Sequence, residues 1–387
     1  MTTQTKLSDP ITPAKNITLR DIAKRCGVGI STVSRAFVAP DSQNAQTSAR
    51  ILAMASEMGY DPSLHHAARR MSMMQHGKMP INQLIALFFP AQFYQTTYFN
   101  TILNGIMAGL SSRGFGLLTV DYSHPSDSFP PSLLRGDVDG AIINSSPEWF
   151  AEMNTKLHSL PTFANRPIML VMEDTASALG VTVDKISSGA QAAKHLLDLG
   201  HRHIMYPCGY NRATRLILPV RGLYAGYLQA YAERGLSPEQ YLHPVKLGSD
   251  LWHAALTPDS HARLYSLYNA GIARKNPLLR ELRRHPEITA ILAPNDASAI
   301  IIHQLLTLDG YRVPEDISVI GNDDTLPLYN DAWHNTLTTV KLPLRQVGIT
   351  AANLMVDRIT GKITTDVQRV LPTTLVVRET TAPPRAR

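Results

Sequence analysis

The chain has 387 residues, 44% of them hydrophobic and 18% charged, enough to bury a sizeable core and to divide into two or three folding units. Two cysteines, Cys26 and Cys208, exclude a disulfide framework. No Cys/His cluster has zinc-ligand spacing, so buried thiols in a reducing compartment are expected, with no metal and no other cofactor. The first residues lack the apolar stretch of a signal peptide, and no run approaches the roughly 20 apolar residues that span a bilayer, which points to a cytoplasmic protein with no membrane partner. The net charge of +6 is uneven: residues 1–80 hold 10 Lys+Arg against 5 Asp+Glu, and the remainder is close to neutral. Such asymmetry suits a small nucleic-acid-binding module on a near-neutral body, because neutralised phosphates supply much of DNA affinity, although a solubilising arm has the same signature.

From Ile17, apolar residues at Leu19, Ile22, Ala23 and Cys26 share one face of a short helix for which Thr18 is the expected N-cap. Gly27 follows as the residue able to take a left-handed turn. Val28 fills the angle, and a second helix buries Val33 with Ala36 or Phe37. A third helical pattern runs from a cap near Asn44 through Ile51, Leu52, Ala55 and Met58 to Gly59. Two amphipathic helices joined by Gly-Val occur in many soluble proteins, so periodicity alone does not assign a function.

The residue identities do more. Thr18-Leu-x-Asp-Ile-Ala-x-x-x-Gly-Val-x-x-x-Thr-Val-Ser-Arg35, with Gly59-Tyr-x-Pro62, closely resembles the helix-turn-helix of the lactose-repressor family of bacterial transcriptional regulators. The resemblance implies that Ile30, Ser31 and Arg35 face base edges, that Thr18, Thr32 and Ser34 hold backbone phosphates, and that Asn44 joins the DNA-contacting set. Arg35 suits a bidentate contact to guanine. Gly29 stands where relatives commonly carry a phosphate-contacting Ser. In the family, the next segment is a hinge helix that wedges a Leu into the minor groove. Here Met71 takes that place, flanked by Arg69, if two extra residues are accommodated, whereas an ungapped alignment puts Arg69 there. A solvated linker of His65, His66 and the arginines is the plain alternative.

From Gln83 the pattern becomes short apolar strands alternating with helices. Strands are expected at Leu84–Phe89, Gly116–Asp121, Gly140–Asn144, Ile168–Met172 and Val181–Val183, and helices over Phe99–Arg113 and Gln191–Leu199. Five segments, in order, resemble the family's sensor domain, itself related to periplasmic sugar-binding proteins: Leu199-Gly-His-Arg-His-Ile204, Arg221-Gly-Leu-Tyr-Ala-Gly-Tyr227, Ala290-Ile-Leu-Ala-Pro-Asn-Asp-Ala297, Val313-Pro-Glu-Asp-Ile-Ser-Val-Ile-Gly-Asn-Asp-Asp324 and Leu337-Thr-Thr-Val-Lys341. The expected fold is an all-α helix-turn-helix domain followed by an α/β periplasmic-binding-protein-like sensor of two doubly wound parallel-sheet lobes. Its expected divisions are a flexible arm over 1–16, the helix-turn-helix over 17–62, hinge and linker over 63–81, the effector-binding domain over 82–380 and a tail over 381–387. Lobe 1 takes about 82–184 and 342–371, and lobe 2 about 185–341 and 372–380.

The resemblance places a small-molecule cleft between the lobes, with Arg221, Asn295 and Asp323 at ligand-contacting motif positions. A structural ion pair, a turn and a helix N-cap are the respective alternatives. Phe93, Tyr94, Tyr98 and Phe99 follow the first strand and suit stacking on a sugar face, although aromatics at a helix start often belong to the core. Asn144 and Ser145, then Glu173 or Asp174, end two further strands and suit hydroxyl groups or ordinary turn capping. The segment from 248 to 273 is longer than this connection usually is in relatives, and the sequence gives it no role.

The implied protein is a homodimer on a near-palindromic DNA operator of the nucleoid, a repressor whose affinity responds to a sugar-like effector. A nucleoside or purine corepressor is the alternative, and a sugar-binding protein without a regulatory role fits less well. The tail lacks the heptad repeat that a tail-made tetramer needs. No Gly-x-Ser-x-Gly elbow or Gly-rich phosphate loop is present, and consecutive Asp323 and Asp324 rarely serve one site, so neither an enzyme nor catalytic residues are expected.

Overall fold

A computed structural model describes residues 17–38, 43–60, 81–89, 96–122, 128–173, 179–210, 217–218, 221–246, 266–271 and 275–385. The chain divides into two units, Met1–Asn82 and Gln83–Arg387.

The first unit is built from α1 (Leu19–Cys26), α2 (Ile30–Val38) and α3 (Ala45–Glu57). Thr18 and Asp21 form a reciprocal capping box: the Asp21 N–H donates to Thr18 Oγ1 at 3.3 Å, and the Thr18 N–H donates to Asp21 Oδ2 at 2.8 Å. Gly27 ends α1 at φ 64, a left-handed conformation that costs a side chain and that glycine takes freely. The resulting bend lets Ile22, Val33, Ala36, Ile51, Ala55 and Tyr60 close one small core. Leu52, expected inside with its neighbours, is 39% exposed. The buried stripe of α3 runs Ser48, Ile51, Ala55, and one residue further along a helix turns about 100° away from it.

The second unit runs β1 (Leu84–Phe89), α4 (Thr97–Ser111), β2 (Gly116–Asp121), α5 (Pro131–Leu134), β3 (Gly140–Ile143), α6 (Pro147–His158), β4 (Ile168–Val171), β5 (Leu179–Val183) and α7 (Lys185–Asp198). It continues with β6 (Ile204–Tyr210), β7 (Ile217–Leu218), α8 (Arg221–Ala232), α9 (Pro238–Tyr241), β8 (Leu242–Lys246), α10 (Pro277–Arg284), β9 (Ala290–Leu292) and α11 (Asp296–Leu308). The last elements are β10 (Ser318–Asp323), β11 (Thr339–Lys341), α12 (Leu344–Ile359), β12 (Gln368–Leu371) and β13 (Thr374–Val376).

Two sheets result. The first has the order β12-β5-β4-β3-β1-β2, and the second β13-β11-β10-β9-β6-β7 with β8 also paired to β6. Strands such as Leu-Ile-Ala-Leu-Phe-Phe in β1 are apolar throughout because helices cover both faces of a parallel sheet. Among the described strand pairs, β6 with β7 and β11 with β13 are antiparallel, and the others are parallel. The chain passes between the sheets three times, from β5 to α7, from β11 to α12 and from β12 to β13. Among the described residues, no helix is long and apolar enough to cross a membrane.

Two helix boundaries differ from the sequence pattern, and both matter for the cleft. Helix α4 starts at Thr97 behind the Thr96 cap, so Phe99 turns inward, is 2% exposed and stacks on Phe89 at 4.1 Å. Phe99 is therefore a core residue and not a wall of the cleft. Helix α7 begins at Lys185, immediately after the first crossing, with Asp184 accepting from the Ser187 N–H at 2.8 Å.

The helices that follow two of the crossings pack against their neighbours through glycine. A Cβ on Gly105 of α4 would lie 2.2 Å from the Arg345 carbonyl of α12, and one on Gly189 of α7 would lie 2.1 Å from the Leu223 carbonyl of α8. Backbone fills the space, and a methyl has no flexible side chain to push aside. Gly105→Ala should therefore force α4 and α12 apart and cost about 2 kcal/mol. Urea unfolding of the full chain measures this, and an unchanged midpoint would show that the seam yields without cost.

Candidate functional site

In the first unit, α2 presents Ile30, Ser31 and Arg35 on one exposed face, with Ile30 at 45% exposure, while Val33 and Ala36 point into the core. Leaving an isoleucine in water costs stability, and a thymine methyl in a major groove is the kind of partner that would cover it. The Arg35 guanidinium lies along its own helix, with Nε donating to the Ser31 carbonyl at 3.4 Å, and extends outward without disturbing the core. Thr32 and Ser34 are half-buried at the sides of this face. The Thr32 carbonyl accepts from Gln43 Nε2 at 3.3 Å, which ties the end of the turn to α2. Thr18 and Asn44 cap α1 and α3. Their side chains hold helix starts in place, and both remain exposed. Arg20, Lys24 and Arg25 are exposed on α1, and none of them is in an ion pair among the described residues. Arg69 and Met71 lie outside the described residues.

In the second unit, sites proposed from separate strand ends meet where the chain crosses between the sheets. Tyr98 stands in the first turn of α4, half-buried. Burial foremost, and then the Asp323 and Glu173 carboxylates, push its hydroxyl pKa well up, which places all three within electrostatic reach of one another. Tyr98 and Glu173 belong to the first sheet's side, and Asp323 ends β10 of the second. Glu173 Oε2 is engaged by Lys185 Nζ at 2.7 Å, an ion pair that joins the end of β4 to the start of α7 across the first crossing. Both side chains are partly exposed, so the pair is worth at most about 1 kcal/mol and can yield to a ligand.

Asp323 and Asp324 diverge, as adjacent residues on a strand end must. Their φ values of 121 and 54 are sparsely populated for non-glycine residues. Asp324 Oδ1 accepts from Arg378 Nη2 at 2.8 Å, an ion pair to the segment after β13, and this anchors the turn. Asp323, 6% exposed, is directed instead toward Asp296 at the start of α11. Asn295 is the N-cap of α11, with its Oδ1 accepting from the Ser298 N–H at 2.8 Å, so the turn proposed for it is a helix cap and its amide donors are not used by the cap. Asn144 ends β3 half-buried, its N–H donating to the Phe88 carbonyl at 3.1 Å. Helix α8 begins at Arg221, whose side chain, like Phe93, lies outside the described residues.

A recess of about 390 Å³ opens beside Asp323, lined by Thr97 and Thr101 of α4, Thr325, and Lys341 and Arg345 around the second crossing. That volume is in the range of small-molecule sites. Of these lining residues sequence reasoning found only Asp323, and it also missed Lys185. Threonines and cations on a crossover carry no periodic signal. Among the described residues, no group of His, Cys, Asp and Glu is arranged to hold a metal ion.

A basic three-helix head with an exposed α2 face, followed by two α/β lobes, is the arrangement of a DNA-binding regulator. Residues 18–63 match the family described as "Bacterial regulatory proteins, lacI family", and residues 193–381 match "Periplasmic binding protein-like domain". The chain is 28% identical over 366 residues to the HTH-type transcriptional regulator CelR of Thermobifida fusca, covering 94% of this chain and 97% of that protein. It is also 28% identical over 356 residues to the HTH-type transcriptional repressor PurR of Haemophilus influenzae, covering 89% and 92%. The fold agrees with a lac repressor dimer bound to operator and the anti-inducer ONPF, at TM-score 0.60 and 21% identity over 95% of this chain and 100% of that one. A CelR-cellobiose complex matches at TM-score 0.57 and 24% identity, covering 94% and 99%. The head matches the lacI family of bacterial regulatory proteins, and the chain is a DNA-binding transcriptional regulator.

The head depends on its caps. Thr18→Ala removes the hydroxyl half of the capping box, leaving the backbone N–H bond to Asp21, and should destabilise α1 by about 1 kcal/mol, or about a fivefold faster amide exchange across its first turn. Hydrogen–deuterium exchange of the full chain reads this, with Thr18→Asp restoring protection. Equal exchange in the alanine variant would remove the cap from the account.

Proposed function

We propose that this regulator is a dimeric repressor that reads a near-palindromic operator through Ile30, Ser31 and Arg35. In this reading Thr18, Thr32, Ser34 and Asn44 lie along the phosphate backbone, and a small sugar-like effector held between the two sheets controls the grip on DNA. The convergence of Tyr98, Glu173 and Asp323 from both sides of the crossings carries the reading. Carboxylates, a phenol and the amide of Asn295 suit vicinal hydroxyls, and Tyr98 offers a ring for an apolar sugar face. Arg221, at the start of α8, and Asn144, after β3, complete the proposed contact set. The cellobiose in the CelR complex and the ribose in a related Enterococcus faecium regulator support a carbohydrate.

Effector binding acts by population shift. A ligand that bonds both sides stabilises one angle between the lobes, and in a dimer that angle sets the spacing of the two heads, so DNA affinity changes by the ligand's differential affinity for the two arrangements. The lac repressor dimer on its operator supports a two-fold partner and a palindromic site. Action on the operator places the protein in the cytoplasm, at the nucleoid.

The two ends of the molecule should fail separately. Arg35→Ala should weaken binding to the preferred DNA site by about 1–3 kcal/mol and relax its sequence preference, leaving ligand binding as it was. Asp323→Ala should abolish the thermal shift given by the best compound in a screen of sugars, sugar phosphates and nucleosides, with DNA binding of the ligand-free protein retained. Unchanged DNA selectivity in the first variant, or an unchanged thermal shift in the second, contradicts the assigned role.

A further inference from the structure

Asp296, toward which Asp323 is directed, is fully buried, and Asp323 itself is 6% exposed. The two carboxyls converge on a single amide: the Thr325 N–H lies 2.8 Å from Asp296 Oδ2 and 3.2 Å from Asp323 Oδ1. Asp296 is also reached by the Leu326 N–H at 3.4 Å and by the Thr339 hydroxyl. Among the described residues, Asp323 receives only the Thr325 hydroxyl, at 2.7 Å, besides the shared amide. The space around Asp296 is reserved by Gly321, where a Cβ would lie 2.4 Å from Asp296 Oδ1.

Two buried carboxylates this close cannot both keep a full charge, because each is desolvated and each raises the cost of ionising the other. We propose that Asp296 and Asp323 hold one proton between them in the ligand-free protein, with Asp296 as a positioning residue that makes Asp323 meet the effector as a neutral acid. The assignment within the pair follows from the donors. Asp296, with two backbone N–H groups and a hydroxyl, is the better solvated anion, and Asp323 carries the proton toward it. Burial first, and then the Asp296 charge, raise the Asp323 pKa well above the ordinary aspartate value.

Among the described residues, no cation is ion-paired with either carboxyl. Tyr98 from α4 is neutral, and Glu173 beyond β4 adds negative charge although Lys185 is bonded to it. Asp324 is held by Arg378, and Lys341 stands 4.0 Å from Asp324 Oδ2, largely exposed. A hydroxyl or ammonium group of an entering ligand that donates to Asp323 displaces the proton to solvent, leaving one donor bond in its place. That consequence rests on the cleft being the effector site, whereas the shared proton does not.

The test uses the ligand-free full chain with carbon-13 in its aspartate side-chain carboxyls, read by infrared spectroscopy. At about pH 6, some two units above the ordinary aspartate pKa, exposed aspartates have ionised, and a protonated-carboxyl C=O band should persist. The band should vanish in Asp323→Asn, which keeps shape and a donor toward Asp296. In Asp296→Asn its titration midpoint should fall by about one pH unit. The sign for stability follows: a carboxyl with a raised folded pKa stabilises the fold below the unfolded value and loses that contribution as pH rises. Asp323→Asn should therefore melt progressively higher than the parent chain from pH 4 upward. No band in the parent chain at that pH, a band that survives Asp323→Asn, or a midpoint unmoved in Asp296→Asn overturns the pair. Such a result leaves the effector reading intact, since that reading stands or falls on the thermal-shift screen.

Discussion

The three passages of the chain between the two sheets are the constraint on which the rest depends. Because β5, β11 and β12 each hand over to an element of the opposite sheet, three connections tie the lobes together. Strand ends from both sheets therefore face a common space. In open α/β sheets that space is where ligands bind, because side chains and helix starts at strand ends have no other cover. Tyr98, Glu173, Asn295 and Asp323 are distant in sequence and close to one junction for this reason.

The same junction makes motion available without disorder. Three short connections tie the lobes together, and Gly105 and Gly189 let the helices beside the crossings lie backbone against backbone. In the proposed function, closely packed helix pairs beside this junction would turn a small ligand contact into a change of angle between lobes. The Glu173–Lys185 ion pair and the strained Asp323–Asp324 turn lie within this junction.

Much of this was legible in the sequence because the physics behind it is local. Gly27 announces a left-handed turn, Thr18 an N-cap, and apolar runs such as β1 a strand covered on both faces. Where the signal was long-range it failed. Leu52 fits the apolar stripe of α3 by type and misses it by one residue's rotation. The start of α7 reads as small and polar over Ser187, Ser188 and Gly189, which hides a helix chosen for close approach to α8. Phe99 looked like a cleft aromatic until the earlier start of α4 turned it into the core. Lys185, Lys341 and Asp296 become relevant only once the crossings bring them to the cleft, and no periodicity marks them.

The central claim is that a ligand in the inter-lobe cleft changes the grip of α2 on DNA. The most direct measurement is the affinity of the full chain for a duplex selected by it from random sequence, with and without a compound that raises its melting temperature, at fixed salt. Fluorescence anisotropy should give a difference of about 5-fold to 150-fold, the usual size of a coupling between two sites. Equal affinity with saturating compound would mean that the cleft and the DNA-binding head are uncoupled, and would contradict the account.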